Sequence, residues 1–237
     1  PRLARLLLDA GADADAADFL GCPALVRAAE KGHARLVRLL LAAGADAGAA
    51  DAHGFTALHR LAAAGNAELA EALLAAHVGR LNADASLSIA GVQEAAAAFV
   101  DAASRLEGLT PLHEAALHGR APLLALLVRY GADVRRPSAS AVTALHLAAC
   151  AGHADAVAAL LDAGADAEAE DGGGRTACHY ACSYGHSAAL RALVRHGART
   201  DCTDRLGLTP AALLDDEEAG DLRALLAAAR PPLPRML

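Results

Sequence analysis

The sequence predicts an all-α solenoid of stacked helix-turn-helix units joined by short hairpin-like fingers. Three observations carry this. First, Thr56, Thr110, Thr143, Thr176 and Thr209 head matching segments with Pro23 in the same slot, at steps of 33, 54, 33, 33 and 33 residues. Second, Gly11, Gly44, Gly131, Gly164 and Gly197 each stand twelve residues before one of those positions or its equivalent, so two markers run in phase. Third, the chain is 55% hydrophobic, much of it alanine, with aromatics at 3% and no Trp, which suits thin layers of closely packed helices better than one thick core.

Within each unit the threonine precedes an apolar turn, where it can cap free helix N–H groups, and Pro111 or Pro210 suits the first helical position. Gly32, Gly65, Gly119, Gly152 or Gly185 follows nine residues later and supplies the left-handed residue that ends helix one. A second helix follows with an inward stripe such as Leu36, Val37, Leu40 and Leu41. It stops at Gly44, Gly131, Gly164 or Gly197, where a Gly-Ala-Asp turn leads through a polar finger to the next unit. No unit buries its apolar face alone, so neighbours must stack.

The boundaries that follow are one domain over 1–237. It comprises a partial repeat at 1–18, full repeats at 19–51, 52–108, 109–138, 139–171 and 172–204, a capping repeat at 205–230 and a Pro-rich tail at 231–237. Repeat 52–108 carries an enlarged finger from about 78 to 108: between His77, in the place of the turn glycine, and Thr110 lie twenty-one surplus residues. Val92, Ala96, Phe99, Val100 and Ala103 follow helical spacing there, predicting a short amphipathic helix near Gly91–Ser104. Its apolar side is open to three readings: a lid over the groove, an anchor for a partner, or a passive loop on its own repeat. Deleting Gly79–Phe99 restores the regular step, and the flanking repeats are expected to stack without it.

The segments Thr56-Ala57-Leu58-His59, Thr110-Pro111-Leu112-His113 and Thr143-Ala144-Leu145-His146, each followed by an Ala-rich turn and a glycine, resemble the ankyrin repeat over nearly the whole chain. The resemblance implies a protein-binding array with a concave groove, and a structural role for His59, His113, His146 and His179 in tying neighbouring repeats. It is imperfect. Pro23-Ala24-Leu25-Val26 replaces the signature in the first full repeat, and Asp15, Gly48, Arg135, Glu168 and Asp201 fill the slot where the family carries Asn, so hydroxylation of that Asn does not transfer.

At the ends, Leu3, Leu6 and Leu7 in the helix Arg2–Asp9 lack a covering helix, so a fragment of a longer protein with repeats upstream is expected. The last unit opens at Thr209-Pro210, replaces the small Ala pair by Leu214-Asp215 and continues Asp216-Glu217-Glu218, a polar outer face that reads as a cap, with its second helix near Asp221–Ala229. Pro231-Pro232-Leu233-Pro234 then closes it; Leu233-Pro234 is only a faint echo of a ligase-adaptor box.

Net charge is −7 and the basic residues stand singly apart from Arg135-Arg136, which argues against nucleic acid as a partner. Five cysteines without framework spacing point to a reducing compartment, cytoplasmic or nuclear. The longest candidate apolar run, Ala95–Val100, is far too short for membrane insertion.

Candidate chemistry gives way to scaffold. His33, His153 and His186 recur after the helix-ending glycine, as the signature histidines recur before it. Cys178, His179, Cys182 and nearby His186 are zinc-ligand types, but Cys178 replaces the signature Leu and Cys182 a small-pair Ala, both core positions, so packing is expected and no metal. Gly172-Gly173-Gly174 lacks the Lys-Ser/Thr of a phosphate loop and reads as a fingertip, and Asp18, Asp51, Asp171 and Asp204 recur in register as turn residues. No nucleophile, base or carboxylate pair has motif support, so the chain is expected to be no enzyme and to hold no cofactor.

Specificity should then lie in variable slots facing the groove: Arg27, Arg60, Glu114, Leu147 and Tyr180, with Lys31, His118 and Tyr184 nearby, and Phe19, His53, Phe55 and Arg175 at the fingertips. The function expected is a monomeric, non-catalytic scaffold that binds a protein or peptide through groove and fingertips. The alternative is a regulatory or targeting segment of a larger enzyme or channel.

Overall fold

A computed structural model of the chain describes residues 2–214, 222–224 and 226. It divides into two compact units, one up to Asp133 and one from Val134 onward. In the first, α1 (Arg2–Asp9), α2 (Ala24–Glu30), α3 (Ala34–Ala42), α4 (Ala57–Ala64), α5 (Ala67–Ala83), α6 (Ile89–Val100), α7 (Pro111–Leu117) and α8 (Ala121–Arg129) follow one another. First helices α2, α4 and α7 pack in one row and second helices α3, α5 and α8 in another. The second unit repeats the scheme with α9 (Ala144–Cys150), α10 (Ala154–Asp162), α11 (Ala177–Ser183), α12 (Ser187–Arg195) and a 3-10 turn, Pro210–Leu213. Among the described residues extended pairing is limited to two isolated bridges, Ala17 with Pro23 and Ala50 with Thr56, at the bases of fingers. The predicted all-α fold is what forms.

The packing follows from residue size. Ala28, Ala29, Ala62, Ala115, Ala116, Ala148 and Ala149 are buried at the contacts between first helices and let their backbones approach, while Leu58, Leu73, Leu112, Leu124, Leu145 and Leu160 are fully buried between the rows. Each such leucine contributes roughly 1.5–3 kcal/mol of transfer free energy.

The signature Thr and His form one device. In α4 the imidazole Nε2 of His59 lies 3.0 Å from the carbonyl of Leu109, in the finger that leads to the next repeat. A carbonyl only accepts, so Nε2 carries the proton and Nδ1 is bare. That Nδ1 accepts from the Thr56 backbone N–H at 3.1 Å and from the Thr56 hydroxyl at 2.9 Å, closing a capping box. His146 reaches the Arg175 carbonyl at 3.0 Å and His179 the Leu208 carbonyl at 3.1 Å in the same way. The inter-repeat role that the resemblance implies for these three histidines is visible in their geometry.

The surplus segment differs from the expectation. Helix two of its repeat does not stop near His77 but runs on to Ala83, because no glycine interrupts it at that position and the added turns make contacts of their own. Arg80 donates to the carbonyls of Ala45 at 2.8 Å and Gly44 at 3.3 Å, satisfying acceptors just beyond the end of α3. The amphipathic helix is α6, capped by Ser88, whose Oγ accepts from the Gly91 N–H at 3.1 Å; it ends at Val100, leaving Ala103 outside and exposed. Phe99 turns inward, 7% exposed, and its ring stacks on His77 at 4.0 Å and 21°. Phe99, at the centre of the apolar stripe, is thus covered by His77 of its own repeat. The deletion of Gly79–Phe99 would remove both Arg80 and this stack, and so is expected to cost stability as well as the segment itself.

In the last unit the first helix is a single 3-10 turn where an α-helix was expected, with the bulky Leu214, 8% exposed, at its end. Leu222 and Leu226 are buried, and Thr200 donates to the Leu226 carbonyl at 3.4 Å. The acidic cap at 215–218, most of the helix expected at 221–229 and the tail at 231–237 lie outside the described residues.

Candidate protein-interaction surface

Four fingers are built on an aspartate, and three of these aspartates are used twice. Asp18 Oδ1 accepts the N–H groups of Leu20 at 2.9 Å and Cys22 at 3.0 Å; Asp51 does so for His53 and Phe55, Asp171 for Gly173 and Arg175, and Asp204 for Leu206 and Leu208. These are Asx turns, the role expected of this ladder. The second oxygen reaches the helix nine residues on: Asp18 to Arg27 at 2.8 Å, Asp51 to Arg60 at 2.7 Å, and Asp171 to the Tyr180 hydroxyl at 2.7 Å. The Arg27 guanidinium and the amides hold the Asp18 carboxyl below the usual range. Burial raises Asp51 and Asp171, but Arg60 and the amides in one, and the amides and Tyr180 in the other, outweigh it and keep both low.

This geometry alters the reading of the groove slots. Arg27 is already shared between Asp18 and Glu30, the latter at 2.7 Å. Arg60 pairs with a buried Asp51 and lies over the Phe55 ring at 4.6 Å from its centroid. Tyr180 packs edge-on against His146 at 5.5 Å. Glu114 is mostly covered, and burial raises its carboxyl; His118 bonds the Glu114 carbonyl at 3.0 Å and stands 3.8 Å from its carboxylate. Leu147 is half-buried and Lys31 exposed. Arg175 Nε stands 3.5 Å from Asp204. Tyr184 is 59% exposed and stacks on His186 of its own repeat, whose Nε2 reaches the Cys150 carbonyl at 2.9 Å. The first-unit slots are Arg27, Arg60, Glu114 and His118, and the second-unit ones Leu147, Arg175, Tyr180 and Tyr184.

The fingertips are freer. Arg105 N–H donates to the His53 carbonyl at 2.9 Å and stitches two fingers of the first unit, as Arg205 N–H does to Gly173 in the second. In the first unit His53, Phe55, Ser104, Leu106 and Glu107 line a hollow of about 220 Å³. Phe19 is 95% exposed, Leu20 58% and Leu106 79%. The structure thus brings predicted His53 and Phe55 together with Leu106, and exposes Leu20 in the first unit and Leu206 in the second, three residues that were missed. The signal was available: each stands two residues after a finger-starting Asp18, Ser104 or Asp204, as His53 does after Asp51.

Gly54 shows how tightly the fingers abut. Its φ is +85°, and a Cβ there would meet the Arg105 backbone nitrogen at 2.8 Å, whereas one at Gly21, φ +70°, would meet only the Ala52 Cβ at 3.9 Å. Gly21→Ala is expected to cost about 1 kcal/mol for the left-handed backbone, and Gly54→Ala about 1–2 kcal/mol more for the steric conflict. Urea unfolding of both variants reads the difference; equal costs would mean the fingers are not stitched.

The thiols of Cys178 and Cys182 are buried, and burial pushes Cys178 well up and Cys182 up to about 12. They act as packing groups. Among the described residues no helix is long and apolar enough to cross a membrane.

Comparison with known proteins gives one consistent answer. A family described as ankyrin repeats (3 copies) matches residues 1–85 and 83–171, and one described as ankyrin repeats (many copies) matches 160–214. No curated protein sequence matches. Among solved structures the chain is similar to the crystal structure of the ankyrin repeat domain of Bcl-3, a unique member of the IkappaB protein family. The two share 27% identity over 94% of this chain and 91% of that one, with a TM-score of 0.71. From the repeat, the Thr-His capping device and these matches, the chain belongs to the ankyrin-repeat family.

Proposed function

We propose that this protein-binding module takes a short apolar side chain of a partner protein in the fingertip hollow of its first unit. Ankyrin-repeat domains are in general non-catalytic modules that bind proteins. What carries the finer reading is the hollow of about 220 Å³ with its exposed rim residue Leu106. An exposed apolar contact of this kind has most to gain from being covered, and Phe19 and Leu20 on a neighbouring finger extend it. Arg27 and Arg60 hold that surface in shape through Asp18 and Asp51, as positioning residues. Five unpaired cysteines support a reducing compartment, the cytoplasm or nucleus.

Arg60→Ala would leave the buried Asp51 carboxylate unpaired, so loss of binding in that variant would confuse recognition with stability. Leu106→Ser avoids this. Peptides selected from a displayed library on the intact chain are expected to shift the resonances of His53, Phe55 and Leu106, and Leu106→Ser to weaken them about tenfold with an unchanged circular dichroism spectrum. Peptides that shift only other residues, or bind Leu106→Ser as well, would move the site elsewhere.

A further inference from the structure

The basic residues that stand singly in the sequence do not stand singly in space. Arg2 and Arg5 sit three apart on α1, and Arg35 and Arg38 occupy the same places one 33-residue period later on α3. Residues three apart share a helix face, and stacking sets equivalent faces side by side. Together with Leu39 and Ala42, the four arginines line a hollow of about 400 Å³. All four are exposed, and only Arg38 is paired, with Glu68; among the described residues Arg2, Arg5 and Arg35 have no ion-pair partner. A chain with net charge −7 thus leaves three guanidinium groups unneutralised around one hollow.

We infer that this hollow, on the second helices of the first unit and independent of the fingertip reading, is a docking site for an acidic segment of a partner protein. Guanidinium forks match carboxylates in pairs, and four of them around one cavity concentrate positive potential that the rest of the chain opposes. Two observations favour a peptide over a nucleic acid. The basic face is short, since the next places in the period are Glu68 and Glu71, which would repel a phosphodiester backbone following the repeats. A second hollow of about 390 Å³, lined by His33, Ala34, Arg35 and Leu36, shares Arg35 with the first, so room for an aliphatic side chain adjoins the charge. The chemistry recognised is carboxylates next to an apolar side chain.

The test uses the whole 237-residue chain and a short fluorescein-labelled peptide in which glutamate pairs flank leucines. Binding is expected in fluorescence anisotropy, falling at least tenfold in the variant Arg2→Gln, Arg5→Gln, Arg35→Gln, Arg38→Gln and falling likewise when the peptide's glutamates become glutamines. Arg191→Gln with Arg195→Gln on α12 should leave it unchanged. The four arginines are exposed, so circular dichroism of the variant should match that of the parent. Equal binding by the two arginine variants would overturn the site, as would absence of binding. Tighter binding of a single-stranded oligonucleotide than of the peptide, lost in the same variant, would overturn the assignment of a protein partner.

Discussion

Lowering the pH from neutral to about 4 is expected to remove roughly 3 kcal/mol of stability through His59 alone, with further losses through His146 and His179. Burial pulls all three imidazoles down, His59 from 6.5 to about 4. The cause is structural: a protonated Nδ1 could no longer accept from Thr56, and the cation would sit between packed helices. The unfolded chain binds the proton near pH 6.5 and the folded chain only near 4, so stability is full above 6.5 and falls as the pH drops through that window. For His59 about 2 kcal/mol of the loss should have occurred by about pH 5, before most carboxylates titrate. The low fingertip aspartates add a second loss beneath that window, complete only below their folded values. His196 has the opposite sign: the Ala192 carbonyl and Asp162 raise it, so its small contribution is present below its unfolded value and lost as pH rises. Urea unfolding at several pH values, with proton NMR titration of the histidines, checks this. Stability that is flat between neutral pH and about pH 5, or a His59 resonance titrating near 6.5, would show that the clamp does not exclude the proton.

That clamp was legible in the sequence because its parts recur every 33 residues, and so were the helix ends. What could not be read were contacts made between elements without a period. The extension of α5 depends on Arg80 meeting carbonyls more than thirty residues earlier and on His77 meeting Phe99, neither of which repeats. Arg27, Arg60, Glu114, Leu147 and Tyr180 lie on first helices, and Arg27, Arg60 and Tyr180 bond to the aspartates of their own fingers. The nine-residue step from Asp18, Asp51 and Asp171 to those residues recurs three times and could have shown it. The arginine hollow was hidden for a related reason: an Arg-x-x-Arg pair looks dispersed until the period is used to lay one pair beside the other.

Phe99→Ala is expected to destabilise the fold by about 3–4 kcal/mol, the cost of truncating a buried aromatic side chain and leaving a cavity. The ring is 7% exposed, stacks on His77 and reaches Gly48, where an added Cβ would lie 3.9 Å from its Cδ2. It therefore joins α6 both to the extended end of α5 and to the finger after α3, three segments that sequence order separates. Phe99→Leu retains most of the volume and should cost less than about 1.5 kcal/mol, and Ile89→Ala, at a residue 82% exposed on the same helix, should cost almost nothing. Because repeat arrays can open locally, hydrogen exchange should be read with thermal unfolding. Amides of α5 and α6 are expected to exchange faster in Phe99→Ala, while those of α11 and α12 change least. Burial also lowers the His77 imidazole, so its titration should move back toward the ordinary value once the ring is gone. Unchanged exchange in α6 would mean that the surplus segment is not packed and that its apolar stripe is free for a partner. Faster exchange with fingertip peptide binding retained would establish the segment as a buttress whose apolar side is already occupied.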